Sequence, residues 1–121
     1  MKILVADDSR AMRMIVTRTL RQAGYSGHAI VEAENGAEAL KIVKAGGVDL
    51  ILSDWNMPEM TGIEFLRALR ASGSNTPFCF VTSEGSEEMR EQANAAGAIG
   101  LIAKPFTAEA FADALSSVVR A

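Results

Sequence analysis

The sequence has few cysteine, histidine, proline and aromatic residues. Among its 121 residues there are one cysteine, one histidine and three prolines, and aromatic side chains make up 6%. A lone cysteine cannot form an intramolecular disulfide, which excludes a disulfide-stapled domain and favours a reducing compartment. With no second histidine and no matching cysteine, His28 is a poor metal ligand.

Long hydrophobic runs and an excess of positive charge are also missing. The longest apolar runs have the length of strands, whereas a membrane span requires about 20 residues. The first apolar run ends after Ala6 at two aspartates, so it does not fit a signal peptide, and we expect a cytoplasmic protein. The formal net charge is −3, the opposite of a basic nucleic-acid platform. We therefore expect neither a nucleic acid nor a membrane as a partner.

Five short apolar runs alternate with five longer amphipathic stretches. The runs occupy residues 2–6, 28–33, 49–53, 77–82 and 99–103. Most are continuously apolar, a pattern typical of parallel strands covered by helices on both faces, and the mixed second run predicts the most exposed strand. Helical spacing is found at about residues 10–23, 37–45, 63–72, 87–96 and 108–120. We therefore predict a single doubly wound α/β domain over residues 1–121.

Helix start and stop signals agree with these boundaries. Each stretch is preceded by a residue that can cap a helix: Ser9, Asn35, Thr61, Ser86 and Thr107. Asn35 with Glu38 and Thr61 with Glu64 have the spacing of a capping box. A glycine follows each of the first four helices, where a left-handed residue is favoured: Gly24, Gly46, Gly73 and Gly97.

Polar residues follow the carboxyl ends of four predicted strands, where open parallel sheets bind ligands. Asp7 and Asp8, here called the acidic pair, come after the first run and Asp54 after the third. Thr82 ends the fourth run and Lys104 follows the fifth. Two carboxylates about 5 Å apart repel by roughly 3 kcal/mol at an effective dielectric of 20, so such a cluster needs cations. Lys104 supplies one positive charge, and Mg²⁺ with its oxygen ligands is the natural second.

A carboxylate beside Mg²⁺ can attack phosphorus and form an acyl phosphate. Asp54 is the predicted nucleophile because it stands alone at its strand end, whereas the acidic pair suits the metal. The backbone carbonyl of Asn56 is a further candidate ligand. Thr82 and Lys104 are suited to bind the phosphoryl oxygens.

Each of these signals also has a plain structural interpretation. Helix capping alone would explain Asp8 and Ser9. A lone aspartate before a turn is often structural, and Lys-Pro can mark a forced turn or a cis bond. The arginines of the first helical stretch are either a solvated face or a docking surface for a phosphodonor: Arg10, Arg13, Arg18 and Arg21. Cys79 lies in an apolar run and is predicted to be a buried, inert thiol.

Two other functional classes fit the residues less well. A magnesium-dependent phosphohydrolase with an aspartyl nucleophile wants D-x-D after the first strand, but here the two aspartates are adjacent. A flavodoxin-like FMN carrier needs a glycine- and hydroxyl-rich phosphate loop, and the acidic pair would repel that phosphate.

The whole constellation resembles the receiver domain of two-component response regulators. The resemblance rests on the acidic pair, Asp54 in DWNMP, Thr82 in VTS and Lys104 in KPF, and it extends from Lys2 to the last helix. Within the family, DDSRAMR and DWNMPEMTG are most similar to single-domain chemotaxis regulators of the CheY type. The resemblance implies a flavodoxin-like (βα)5 fold with a five-stranded parallel sheet in the order 2-1-3-4-5.

The resemblance also implies roles for individual residues. Asp54 would take a phosphoryl group from a sensor-kinase phosphohistidine, and Mg²⁺ would be held by Asp7, Asp54 and the Asn56 carbonyl, with Asp8 acting mostly through water. Thr82 and Lys104 would contact the phosphoryl group. Asn56 and Glu84 would tune hydrolysis of the aspartyl phosphate, and the peptide before Pro105 would be cis.

The resemblance further implies a signalling role rather than that of a turnover enzyme. The expected partner is a sensor histidine kinase or a histidine phosphotransfer protein, with a flagellar motor switch and a phosphatase as further candidates, and the expected state is a monomer. Leu101 departs from the family, which usually has an aromatic switch residue three positions before the lysine. A leucine has no ring to rotate, so a phosphorelay carrier or phosphate sink is the alternative to a chemotaxis output.

Overall fold

The fold alternates strands and helices along the chain. The structure is a computed structural model, and it describes residues 1–83, 85–104 and 106–116. Its elements are β1 (Lys2–Ala6), α1 (Arg10–Leu20), β2 (Ala29–Ala33), α2 (Gly36–Lys44), β3 (Leu50–Ser53), α3 (Gly62–Ala71), β4 (Phe78–Thr82), α4 (Glu87–Ala95), β5 (Gly100–Ala103) and α5 (Ala108–Leu115).

The five strands form one parallel sheet in the order β2-β1-β3-β4-β5. This confirms the expected fold, and β2 is the most exposed strand, as its mixed sequence predicts. Four strands begin one residue later than predicted. The residues just before them still join the hydrogen-bond ladder at its end: Asp49 donates its N–H to the Lys2 carbonyl at 2.8 Å, and the Pro77 carbonyl accepts from Ile51 at 2.9 Å.

Two apolar layers, one on each face of the sheet, form the core. One layer lies under α1 and α5 and includes Val16, Leu20, Phe111 and Leu115. The other lies under α2, α3 and α4 and includes Ala39, Phe65, Leu69 and Ala93. Because both faces are covered, the central strands β1, β3 and β4 are buried and read as continuous apolar runs.

The helix ends follow the capping signals. All five predicted capping side chains accept a backbone N–H of the first turn, and Thr61 with Glu64 forms the full reciprocal box. The four predicted glycines all have a positive φ. Among the described segments, none of the helices has the length and hydropathy needed to span a bilayer.

The end of the first helix differs in detail from the sequence prediction. A helix over residues 10–23 followed by Gly24 is expected; α1 ends at Leu20, and a wider turn, Arg21–Tyr25, follows it, in which Gly24 alone has non-helical angles. Gly24 closes this turn with a φ of 101°, and the turn brings Tyr25 into the core with 3% exposure. The predicted end of the last helix, beyond Ser116, lies outside the described residues.

Candidate functional site

Three carboxylates meet at the carboxyl edge of the sheet. β1 and β3 are neighbours, and their last residues, Ala6 and Ser53, stand side by side in register. The acidic pair and Asp54 follow these two strands directly, and one oxygen from each of the three carboxylates lies within 4.8 Å of the others. Asp7 is buried and Asp8 is exposed, so the cluster is reached from solvent on one side.

Asp7 is held at every polar atom. Its N–H donates to the Ala33 carbonyl at 3.1 Å, and its carbonyl accepts from the Arg13 guanidinium at 2.7 Å. Its Oδ1 accepts the Ser9 N–H at 2.9 Å, and its Oδ2 accepts from the Lys104 ammonium at 3.2 Å. A side chain that is 3% exposed is therefore fully satisfied and fixed in one orientation.

Asp54 is more open and less tightly held. Its Oδ1 accepts the Trp55 N–H at 2.7 Å, while its Oδ2 lies 3.8 Å from the Lys104 Nζ. Burial raises the pKa of Asp54 above its ordinary value of 3.8, and the two carboxylates of the acidic pair raise it further. Lys104 and the Trp55 N–H act against that rise by favouring the ionised form. Asp54 therefore combines a destabilised negative charge with partial access to solvent, as a nucleophile requires.

Lys104 places a cation in the middle of the acidic cluster. Its N–H donates to the Thr82 carbonyl at 2.7 Å, which ties the end of β5 to the end of β4. From there its side chain, 16% exposed, contacts both Asp7 and Asp54. Thr82 ends β4 and is completely buried. The structure thus brings to one edge the five residues that the sequence places after four separate strands.

The loop between β3 and α3 lies against Asp54. Asn56 is exposed in this loop, and Glu59 has a positive φ of 67°. Gly62, the first residue of α3, packs directly against the Asp54 carbonyl, where an added Cβ would clash, and its N–H donates to the Trp55 carbonyl at 2.8 Å. The sequence prediction does not include Gly62, because a close approach to the Asp54 carbonyl leaves no signal in the sequence. Its φ also lies outside the left-handed region that normally requires a glycine.

The burial of Arg13 corrects the sequence prediction. The arginines of α1 are interpreted as a solvated or docking face, and Arg10, Arg18 and Arg21 are indeed exposed. Arg13 is instead 7% exposed and contacts the Asp7 carbonyl and Glu32. Arg13 lies four residues after the N-cap Ser9, on the side of α1 that faces β2. Its charge alone predicts an exposed side chain and does not reveal this contact.

Leu101 is buried at 8% exposure among the side chains between the sheet and α4. Its carbonyl accepts a hydrogen bond from the Arg90 guanidinium at 3.1 Å, which joins α4 to β5. Glu84 and Pro105, the other two residues expected to tune the site, lie outside the described residues. Burial raises the pKa of Cys79 to about 12, in keeping with the predicted inert thiol.

The carboxylates at this edge form a donor set that could hold a metal ion. All three side chains offer oxygen, the donor that hard divalent cations such as Mg²⁺ prefer. Lys104 neutralises part of the negative charge but contacts only Asp7 and Asp54 among the three. The residues present therefore fit a divalent cation beside Asp54.

Comparison with known proteins agrees with the geometry. The family described as "Response regulator receiver domain" matches residues 3–116. The chain is 39% identical to the chemotaxis protein CheY of Pseudomonas aeruginosa over 98% of this chain and 95% of the relative. It is also 39% identical to CheY-3 of Vibrio cholerae, over 98% of this chain and 91% of that one. The solved structure of the chemotaxis response regulator CheY4 of Vibrio cholerae superimposes with a TM-score of 0.83 at 39% identity, covering 98% of both chains. The chain therefore belongs to the response regulator receiver domains and is closely related to the CheY chemotaxis regulators.

Proposed function

We propose that this protein is a phosphoacceptor switch whose Asp54 receives a phosphoryl group from a phosphohistidine. The observation that carries the proposal is the position of Asp54. Its carboxylate lies within 4.8 Å of both members of the acidic pair and 3.8 Å from the Lys104 ammonium. A helix cap needs none of these neighbours. A phosphoryl acceptor needs Lys104 to bind the negatively charged phosphoryl oxygens and the acidic pair to hold a divalent cation beside them.

The acidic pair and Asp54 would also hold Mg²⁺. We assign Asp7, Asp54 and the Asn56 carbonyl as direct ligands, with the exposed Asp8 acting through water. Bound Mg²⁺ supplies positive charge that offsets the repulsion between these carboxylates and the incoming phosphoryl oxygens. Asp7 is suited to its part because its orientation is already fixed by four hydrogen bonds.

In the transfer itself, the nucleophile is an oxygen of Asp54. Oδ1 is engaged by the Trp55 N–H, so we assign Oδ2, which faces Lys104. As the new O–P bond forms, the P–N bond to the donor histidine breaks, and the departing imidazole takes up a proton. The Lys104 ammonium moves from Asp7 and Asp54 to the transferred phosphoryl oxygens, and the Thr82 hydroxyl binds another of them.

The donor would dock over α1. Two of the exposed large apolar side chains, Met14 and Ile15, lie on this helix, and Arg10 and Arg18 flank them. A groove of about 430 Å³ lies beside them and is lined by Met12, Ile15, Lys104 and Phe106. α1 carries no acidic residue in its first turn, so this surface suits a histidine-bearing helix with an apolar stripe and acidic neighbours.

The downstream role follows the relatives. Because the curated relatives at 39% identity are chemotaxis proteins, we propose a chemotaxis output, with a flagellar motor switch and a phosphatase as partners. We propose a cytoplasmic monomer that binds neither nucleic acid nor membrane and that turns over only its own aspartyl phosphate. A relay or sink role shares the chemistry and differs only in its partners.

The phosphoacceptor site is tested with the fluorescence of Trp55, the sole tryptophan. The centroid of its ring lies 4.7 Å from that of Phe80, and its backbone N–H donates to Asp54. Mg²⁺ and then beryllofluoride, a mimic of the phosphoryl group, are titrated while the fluorescence is recorded. We expect saturable changes with the wild type and with Asp113→Asn, an exposed control in α5, and no beryllofluoride response with Asp54→Asn. Mass spectrometry after incubation with acetyl phosphate should show one added phosphoryl group in the wild type and in Asp113→Asn, and none in Asp54→Asn. Phosphorylation of Asp54→Asn at the wild-type level would refute the assignment.

A capture experiment separates the two roles. The protein is immobilised with and without Mg²⁺ and beryllofluoride and exposed to a lysate. A partner other than a kinase that binds only the activated form supports an output switch. Capture of kinases and phosphotransfer proteins alone would contradict the output switch and support a relay role.

A further inference from the structure

A buried cation lies behind the acidic pair. Arg13 is 7% exposed, and it is the one arginine or lysine that is fully buried among the described residues. Arginine is almost never buried without partners, because removing its charge from water is costly. The contacts of Arg13 therefore show which parts of the fold its buried guanidinium holds together.

Arg13 joins three parts of the fold. Its Nε donates at 2.9 Å to Oε1 of Glu32, an exposed residue near the carboxyl end of β2. Its Nη1 donates to the Asp7 carbonyl at 2.7 Å. The rigid guanidinium fork thus connects α1 and β2 to the peptide that links the two members of the acidic pair.

That peptide sets the direction of the acidic pair. A trans peptide is planar, so the Asp7 carbonyl and the Asp8 N–H point in opposite directions. A hydrogen bond that fixes the carbonyl therefore fixes the course of the chain from Asp7 to Asp8. Loss of the guanidinium would leave a buried carbonyl without its partner and let this peptide rotate.

We propose that Arg13 is a positioning residue for the acidic pair and that Glu32 is its anchor. Arg13 contacts the backbone of Asp7, not the place of the incoming phosphoryl group, so it acts by orienting carboxylates rather than by touching the reacting atoms. The inference rests on the proposed function, because the divalent cation it serves is part of that proposal. Groups that orient ligands in this way change metal affinity by about 10- to 100-fold when they are lost.

The test compares Arg13→Met with a matched variant, Arg70→Met. Arg70 also donates to two carbonyls, of Ser74 at 3.1 Å and Gly97 at 2.9 Å, but near the amino ends of β4 and β5. Mg²⁺ affinity is measured by Trp55 fluorescence, and stability is measured by urea unfolding. We expect Arg13→Met to weaken Mg²⁺ binding about tenfold or more, and Arg70→Met to lose stability with its Mg²⁺ affinity unchanged.

Variants of Glu32 keep the test valid if Arg13→Met does not fold. Glu32→Gln retains an acceptor for the Arg13 Nε hydrogen and should keep most of the Mg²⁺ affinity, whereas Glu32→Ala should lose several-fold. Equal affinities for Glu32→Ala and Glu32→Gln, or a loss in Arg70→Met as large as in Arg13→Met, would overturn the positioning role.

A metal-free measurement separates this inference from the proposed function. The Ser9 N–H donates to Asp7 Oδ1, so its exchange with solvent reports how firmly Asp7 is held. We expect faster Ser9 exchange in Arg13→Met than in Arg70→Met, with chelator present. If the wild type binds no Mg²⁺, the proposed function fails, and the Ser9 exchange still decides whether Arg13 positions Asp7. Unchanged Ser9 exchange in a protein that binds Mg²⁺ would overturn the positioning role alone.

Discussion

Replacing Asp54 by asparagine should stabilise the metal-free protein. The acidic pair repels the Asp54 carboxylate, whose oxygen lies within 4.8 Å of theirs, and burial opposes its charge. Asparagine has the same shape and still accepts the Trp55 N–H, but it carries no charge. The proposed phosphosite is therefore expected to cost the fold stability, in contrast to a carboxylate that serves only as a cap.

The size of the effect follows from three charged neighbours of Asp54. Repulsion by Asp7 at no more than 4.8 Å amounts to about 3 kcal/mol at an effective dielectric of 20. Asp8 is exposed, so solvent reduces its share to about 1 kcal/mol. Attraction by Lys104 at 3.8 Å is about 4 kcal/mol. The charge–charge energies nearly cancel, and burial, the largest influence on the pKa, decides the sign. After screening we expect a gain of about 1 kcal/mol for Asp54→Asn.

The gain should depend on pH in one direction only. Because the pKa of Asp54 is raised in the folded protein, its protonated form is favoured by folding. Below the ordinary value of 3.8 the carboxyl is neutral in both states and the variant gains nothing from the lost charge. As the pH rises through the pKa of Asp54 in the folded protein, the free energy of unfolding of the wild type falls, whereas that of Asp54→Asn has no such dependence. The difference between the two proteins is complete at neutral pH.

Urea unfolding followed by Trp55 fluorescence, with chelator, measures this difference at acid and neutral pH. Asp113→Asn is the matched control, since Asp113 is an exposed aspartate of α5 and not a member of the acidic cluster. Added Mg²⁺ should reverse the order by stabilising the wild type more than the variant. Destabilisation of metal-free Asp54→Asn at neutral pH, or a gain that persists unchanged in acid, would refute the electrostatic reasoning.

Three shorter predictions concern Lys104 and the start of α3. Lys104→Met should raise the pKa of Asp54 further and destabilise the fold by about 2 kcal/mol in urea; unchanged stability would contradict the ion pairs. Gly62→Ala should destabilise the fold by about 2 kcal/mol and weaken beryllofluoride binding, because the new Cβ would meet the Asp54 carbonyl. Helix propensity alone would instead stabilise the variant by about 1 kcal/mol, and that result would contradict the close approach. Thr61→Ala should lose about 1 kcal/mol by removing the capping box, and an unchanged urea midpoint would argue against it.

Most of the fold could be predicted because local signals and burial agree. The central strands are buried on both faces, so their continuous apolar runs mark them clearly. The caps and positive-φ glycines mark the helix ends by their own chemistry. The wider turn at Arg21–Tyr25 could not be predicted in detail. It brings Tyr25 into the core, so tertiary packing rather than local preference decides its shape.

The candidate site divides along the same line. Carboxylates and a lysine that follow strands must meet at one edge once the strand order is known, so Asp54 and its neighbours could be predicted. Arg13 and Gly62 could not, because their significance lies in backbone carbonyls of the site. A sequence does not show that an arginine of a helix donates to Asp7, or that a glycine with ordinary angles lies against Asp54.

The surroundings of Leu101 lead to a prediction about how a change at Asp54 would reach the surface. Its side chain is 8% exposed, and turning it outward would expose apolar area at a cost of about 2 kcal/mol, so a rotating side chain is an unfavourable switch here. The Arg90 guanidinium donates to the Leu101 carbonyl at 3.1 Å and so forms a direct polar link between α4 and β5. We therefore expect Arg90→Met to leave the beryllofluoride affinity within about twofold while reducing the accompanying shifts of α4 and β5 amide resonances, as coupling through a two-state element requires. Glu91→Gln, an exposed neighbour on α4, is the control. Full wild-type shifts in Arg90→Met would show that the signal leaves the site by another route.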